Sequence, residues 1–205
     1  YEFDFERNRL QLALRYTADE SYEPNDMAVY MDGISTGRLD RGGVANKPIG
    51  VEMNLVLHSA DSRGEIRLNS TDMTDQPMID FNYMSEPRDL ARMRDGVRKL
   101  VVISEQPEFR KIADEMTQPT ADIVDDDRSL DEWIRREVVT GHHISSSNMM
   151  GLESDPKAVV DQYGAVRGVA GLRVIDASIM PTCVRANINA TVIAMAERMA
   201  ELIVS

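Results

Sequence analysis

At 205 residues, 42% hydrophobic and 28% charged, the chain has an ordinary globular balance and is long enough for one large domain or two small ones sharing a core. A formal net charge of −12 argues against nucleic acid or an anionic membrane surface as a partner, because both demand clustered Lys and Arg. No apolar run approaches a membrane span, and the single Cys183 excludes an internal disulfide framework and a cysteine metal cluster, so the cytoplasm is the expected compartment.

The first residues, "YEFDFERNRL", carry neither an initiator methionine nor the basic start and apolar core of a secretory signal. The sequence therefore reads as a piece of a longer polypeptide. "LQLALRY" (10–16), "DMAVYM" (26–31) and "GVEMNLVLHSA" (50–60) read as strands, the last with Met53, Leu55 and Leu57 on one face. Between them "GISTGRLDRGGVANKP" is rich in glycine and polar residues and reads as a long loop. "SRGEIRLNS" and "QPMIDFNYM" add two more extended pieces. Strands in succession without intervening helices favour an antiparallel sheet.

Helices follow. In "SEPRDLARMRDGVRKLVVI" the residues Leu90, Met93, Val97, Leu100 and Val101 recur at helical spacing, with Pro87 where a first turn tolerates it. "PEFRKIADEM" (107–116) reads as a short second helix, and "DDDRSLDEWIRREVV" as a third with Ser129 and Glu132 in capping-box spacing. Asp125–Asp127 read as a solvated approach to that helix. Phe81, Tyr83 and Trp133 read as core residues.

The last third changes texture. "AVVDQYGAVRGVAGLRVIDASIMP" gives strand-like pieces broken by glycine turns. In the final stretch Val192, Met195, Ala196, Met199, Leu202 and Ile203 trace one helical face, and Asn189 reads as its cap. A helix beginning there delivers backbone N–H groups and about half a positive elementary charge to one point, where an anionic group is stabilised.

Candidate chemistry centres on "GHHISSSNMMG" (141–151). His142 and His143 are adjacent, so in an extended segment only one can face a given cleft. Two readings stand at this level: a polar loop with surface histidines, or a general base, since an unperturbed imidazole titrates at about 6.5. The serine run lacks the G-x-S-x-G elbow of a nucleophile. Adjacent histidines lack the i, i+4 spacing of a helical ligand pair, so no metal is expected. "GAVRGVAG" lacks the G-x-G-x-x-G order and reads as turns. Asn187 reads either as a loop residue or as an amide offered to a substrate oxygen. His58 reads as structural or surface.

Taken together, several stretches resemble the C-terminal half of the glucose–methanol–choline (GMC) family of flavin oxidoreductases. "SRGEIRLNSTD" is similar to its S-R-G-x-[VI]-x-L segment, and "PMIDFNYMSEPRDL" to P-x-I-D-x-N-Y-L…D-L. "HHISSSNMMG" falls where members carry H-P-x-G-T-[CA]-x-M-G. "AVVDQYGAVRGVAGLRVIDASIMP" resembles the family's A-V-V-D…L-R-V-x-D-A-S-[IV]-M-P, and "NINATVIAMAERMAELI" its closing N-P-N-x-T helix. The resemblance runs from about the fiftieth residue to the end.

The resemblance implies an α+β fold: an antiparallel sheet flanked by helices forming a substrate-binding domain over 1–151, with 152–205 returning to complete a flavin domain. It implies FAD as cofactor, a small-molecule alcohol as substrate, and oxidation of a CH–OH group by hydride transfer to the flavin. His143 aligns with the catalytic histidine and Asn187 with the second catalytic position. Asp176 and Ala177 match the turn lying against the cofactor. Asn187 and Ile188 match the pair approaching the flavin ring, with Asn189 and Thr191 completing the cofactor-facing set. The chemistry is coherent: an imidazole can accept the hydroxyl proton, a neutral amide can orient the oxygen without competing for it, and the helix N-terminus favours negative charge on the flavin.

The departures from the pattern are local. The glycine of G-T-[CA]-x-M-G becomes Ser146, its small third residue becomes Asn148, and the two prolines become Ile144 and Ile188. The family's G-x-G-x-x-G fingerprint is absent from these residues, so the resemblance implies a Rossmann-type FAD-binding half in the same polypeptide or a second chain. Two other readings share the scaffold: a non-redox, hydroxynitrile-cleaving lyase, and a domain that binds without catalysis.

Overall fold

A computed structural model describes residues 10–19, 21–35 and 50–204. Most of the loop expected over 33–48 lies outside them, while Gly33–Ser35 belong to a strand. The chain divides into two compact units that interleave along the sequence: the described residues of Tyr1–Leu57 with Met84–Val138, and His58–Tyr83 with Val139–Ser205.

The first unit contains a three-stranded antiparallel sheet, β1 (Leu10–Tyr16), β2 (Met27–Ser35) and β3 (Gly50–Leu57), with β2 central. The register sets Ala13 and Asn54 on either side of Tyr30. Helix α1 (Pro87–Ser104) starts with its proline, where the missing N–H has no intrahelical role. Its buried Leu90, Met93 and Val97 share one apolar cluster with Met27, with Leu55 and Leu57 of β3 packed alongside, and Leu100 is buried as well. Each such side chain contributes about 1.5–3 kcal/mol when fully buried. Gly96 permits the close approach: a Cβ there would stand 2.6 Å from Leu55 Cδ2 and 2.8 Å from the Tyr16 hydroxyl.

A buried ion network ties helix to sheet. Arg92 donates to Asp26 Oδ2 at 3.0 Å and to Asp89 Oδ1 at 2.6 Å, all three being essentially inaccessible to solvent. The Ala18 amide donates to the other Asp26 oxygen at 3.0 Å. Burial alone would raise the Asp26 carboxyl, but the Ala18 amide, the Ser21 hydroxyl and the Arg92 guanidinium hold it below the ordinary carboxylate range. Burial, and then the charges of Asp95, Asp26 and Asp19, push the Tyr16 hydroxyl above the usual tyrosine range, so it stays protonated.

Short α2 (Ala121–Asp125) leads into α3 (Asp127–Glu137), which buries Leu130 and Ile134. The cap of α3 is Asp126, whose Oδ1 accepts from the Ser129 hydroxyl and amide at 2.7 and 2.8 Å. Ser129 is therefore the third helical residue and not the cap, and Glu132 pairs with Arg128 instead. The aspartate run thus ends α2, caps α3 and, at Asp127, pairs with Arg98 at 2.7 Å. Over 107–116 only a single 3-10 turn forms, Phe109–Lys111. A segment so short and without an apolar face to bury cannot pay helix nucleation, and Ile112 is exposed. Trp133 packs on the core.

The second unit begins with a two-stranded antiparallel ladder, β4 (Glu65–Arg67) against β5 (Met78–Asp80). Phe81 and Tyr83 are not core residues: they stack on each other with centroids 5.1 Å apart and remain exposed. The stretch 158–175 forms isolated bridges in place of strands, at Val160–Val166 and Ala165–Arg173. The reason is turn chemistry: Asp161 Oδ1 accepts from the Tyr163 and Ala165 amides, and Gly164, Gly168 and Gly171 adopt positive φ. Gly164 is obligatory twice over, since at φ +70° a Cβ would also lie 2.7 Å from the Val174 carbonyl oxygen. Helix α4 (Asn189–Val204) closes the unit, burying Met199 with Val160 and Ile179, while Ile203 at its end is exposed.

Candidate functional site

The site residues nominated by the sequence all lie in the second unit. His142 and His143 differ sharply. His142 is exposed, takes φ +61°, and its amide donates to Thr140 Oγ1 at 3.0 Å. That kink turns its neighbour the other way. His143 is half-buried, and its Nδ1 is enclosed with no hydrogen-bond partner among the described residues. The Cys183 thiol reaches the His143 carbonyl oxygen at 3.7 Å.

Beyond the histidines the loop is stitched to a short 3-10 turn, Ala177–Ile179. The amides of Ser146, Asn148 and Met150 donate to the carbonyls of Ala177, Ser178 and Ile179 at 3.4, 2.9 and 2.9 Å. Asn148 adds a side-chain bond, Nδ2 to Ser178 Oγ at 2.9 Å. Asp176 caps the turn, its Oδ1 accepting the Ser178 amide at 2.8 Å. Ser146, standing where the resembling pattern has glycine, retains a glycine-like φ of +70°. Met150 bridges to Val160, and the Arg167 guanidinium donates to the Gly151 carbonyl at 2.6 Å, so the far end of the loop is also fixed.

Asn187 is exposed and Ile188 half-buried, four and five residues after Cys183. The Cys183–His143 contact and a four-residue reach of at most about 14 Å bound how far Asn187 can lie from the histidine loop. The Val192 amide donates to the Ile188 carbonyl at 2.9 Å, so Ile188 occupies the cap position and Asn189 is the first helical residue, not the cap. The amides of Asn189, Ala190 and Thr191 precede the first intrahelical bond, and the positive end of α4's dipole lies at Asn187–Thr191.

The contacts therefore bring the His143 loop together with the Asp176–Ile179 turn and with Cys183. Asn187, Ile188, Asn189 and Thr191 are brought into one short run by the start of α4. The sequence reading missed the Asn148–Ser178 tie and the Cys183 contact. The available signal for the former was an asparagine standing at a position the pattern reserves for a small residue. Among the described residues no three His, Cys, Asp or Glu side chains gather as a metal-ion set, and no helix is long and apolar enough to cross a membrane.

A histidine loop zipped to an Asp-capped turn, followed by a helix N-terminus, falls within a segment with known relatives. Residues 60–196 match the family model described as GMC oxidoreductase, and the chain belongs to that family. The oxygen-dependent choline dehydrogenase of Vibrio vulnificus (strain YJ016) is 37% identical over 154 residues, 75% of this chain and 27% of the relative. That of Pseudomonas aeruginosa (strain UCBPP-PA14) is 43% identical over the same share of each. Among solved structures, pyridoxine 4-oxidase from Mesorbium loti superposes with a TM-score of 0.79 at 24% identity, over 95% of this chain and 38% of that one, a likeness of fold. The chain spans about a quarter of the length of the curated relatives it matches.

Proposed function

We propose that this chain is the C-terminal part of an FAD-dependent oxidoreductase that oxidises the CH–OH group of a small alcohol. The observation that carries the reading is the zipper joining the His143 loop to the Asp176–Ile179 turn within a segment of the GMC family. In this reading residues 1–151 supply the substrate-binding domain and 152–205 return to the flavin domain. A Rossmann-type half, in the same polypeptide or a second chain, holds the rest of the cofactor. The zipper then crosses that functional boundary and fixes the proton acceptor to the cofactor-facing turn.

The residues present suit a flavin edge. Helix α4 offers amides without intrahelical partners and a positive dipole end, which complement an electron-rich ring carbonyl. Asp176, Ala177, Asn187, Ile188, Asn189 and Thr191 are the residues assigned to holding it. When bound, the flavin supplies the hydride acceptor. His143 takes the hydroxyl proton; with Nδ1 enclosed, Nε2 is the nitrogen assigned to it. Asn187 donates its amide to the same hydroxyl oxygen, fixing the alcohol's orientation without competing for the proton.

The choline dehydrogenases among the relatives make choline the first alcohol to try. The test is anaerobic mixing of the complete flavoprotein with choline and a panel of primary alcohols. The expected result is bleaching of the visible flavin band with formation of the carbonyl product. Purification without flavin would remove the cofactor reading. A bound flavin that no alcohol bleaches, in a protein that cleaves hydroxynitriles, would move the assignment to a lyase.

A further inference from the structure

We propose that Asn148 is a positioning residue that holds the Asp176–Ser178 turn against the His143 loop and offsets the backbone strain at Ser146. The inference rests on the flavin-oxidoreductase reading above.

Two departures from the family pattern sit two residues apart and do opposite things. Ser146 replaces a glycine yet keeps φ +70°, a region where an L side chain crowds the following carbonyl. Its hydroxyl meets only that of Ser145, at 3.5 Å, the outer limit of a hydrogen bond, and its amide bond to Ala177 is long at 3.4 Å. Nothing at Ser146 itself therefore holds it in this conformation.

Asn148 does. It grips Ser178 twice, through its amide to the carbonyl at 2.9 Å and through Nδ2 to Oγ at 2.9 Å. Ser178 is simultaneously held by Asp176 at 2.8 Å. The cysteine or alanine of the resembling pattern has no amide to make the second contact. Asn148 and Ser178 are both half-buried, so water competes poorly for that bond. The strained loop thus acquires a side-chain tie at the point where it meets the turn assigned to the cofactor.

The test uses the complete flavoprotein and four variants: Asn148→Ala, Ser178→Ala, their combination, and Asn148→Ala with Ser146→Gly. Alanine is a residue of the family pattern at 148, so the variant is expected to fold. Asn148→Ala should lower kcat about fivefold, the effect of one net hydrogen bond, with KM unchanged. It should also alter the visible circular dichroism of the bound flavin. Ser178→Ala should do the same, and the double variant should lose no more than either alone. Restoring glycine at 146 should bring kcat back to within about twofold of the parent. A kcat and flavin dichroism left intact in Asn148→Ala, with only the thermal midpoint lowered, would overturn the positioning role. Failure of the glycine to rescue would overturn the strain-offset role. If the parent flavin is never reduced by alcohols, the functional reading fails instead. The flavin dichroism and the 148–178 coupling in thermal midpoints still decide the tie.

Discussion

The unit built on β1–β3 and α1 keeps charge inside its core: Arg92 of α1 lies between Asp26 and Asp89, away from solvent, where the helix packs on the three-stranded sheet. The unit holding the His143 loop is held differently. Its apolar centre is the smaller Val160, Ile179 and Met199 cluster, and irregular segments are joined through backbone amides and aspartate-capped turns. In the first, side-chain packing dictates the backbone. In the second, backbone conformation dictates where side chains go, which suits a site assembled from loops on a stable support. The first should fail when a side-chain partner is lost, the second when a φ angle is disfavoured.

The largest expected effect separates chemistry from shape. His143→Ala in the complete flavoprotein should reduce turnover by about 10²–10⁴-fold, as for loss of a general base, while the urea midpoint stays put. A parallel fall in stability would break the separation, and undiminished turnover would remove His143 from the chemistry. Next, Arg92→Met leaves Asp26 and Asp89 buried without their cation and should cost about 3–5 kcal/mol in urea unfolding. A cost under about 1 kcal/mol, typical of exposed pairs, would mean that the network does not support the first unit.

The same network sets an acid limit. The Asp26 carboxyl is held below its ordinary range in the folded chain, so its contribution is fully present above the unfolded value of about 3.9. That contribution is lost as pH falls from there through the folded value. Stability measured by urea titration at descending pH should decline in this window, and Asp26→Asn should flatten the decline. The smallest effect belongs to the second unit. Ser146→Gly should raise stability by about 1 kcal/mol, because φ +70° suits glycine. A destabilised Ser146→Gly would show that backbone shape at the loop is not strained by its side chain.

Legibility in the sequence followed the same divide. The three long strands and the faces of α1 and α4 were readable because period-2 and period-3.6 patterns report burial against a neighbouring layer, and α3 was legible as a helix from its start signals. The short β4 and β5 were readable from the turn signals around them. The glycine turns of 158–175 were legible, but the pieces between them form only isolated bridges, because the aspartate turns and positive-φ glycines break the ladder that the recurring Val and Ile suggest. The cap of α3 was misplaced because three consecutive aspartates and a serine all qualify, and only geometry selects Asp126. His143 and Asn187 emerged from family resemblance, since an HH pair and an isolated amide have no spacing of their own. The Asn148–Ser178 tie joins residues far apart in sequence, and nothing about serine marks position 146 for a left-handed φ.

The interleaving of the two units has a consequence during synthesis. Residues 58–83 leave the ribosome before the partners they need, which begin at Val139, while Met84–Val138 intervene and belong to the other unit. At about 5–20 residues per second, the β4–β5 ladder waits on the order of seconds before Val139 and the residues after it are made. The last segment of the first unit is complete when Val138 emerges, whereas the unit carrying the candidate site still awaits the residues from Val139 onward.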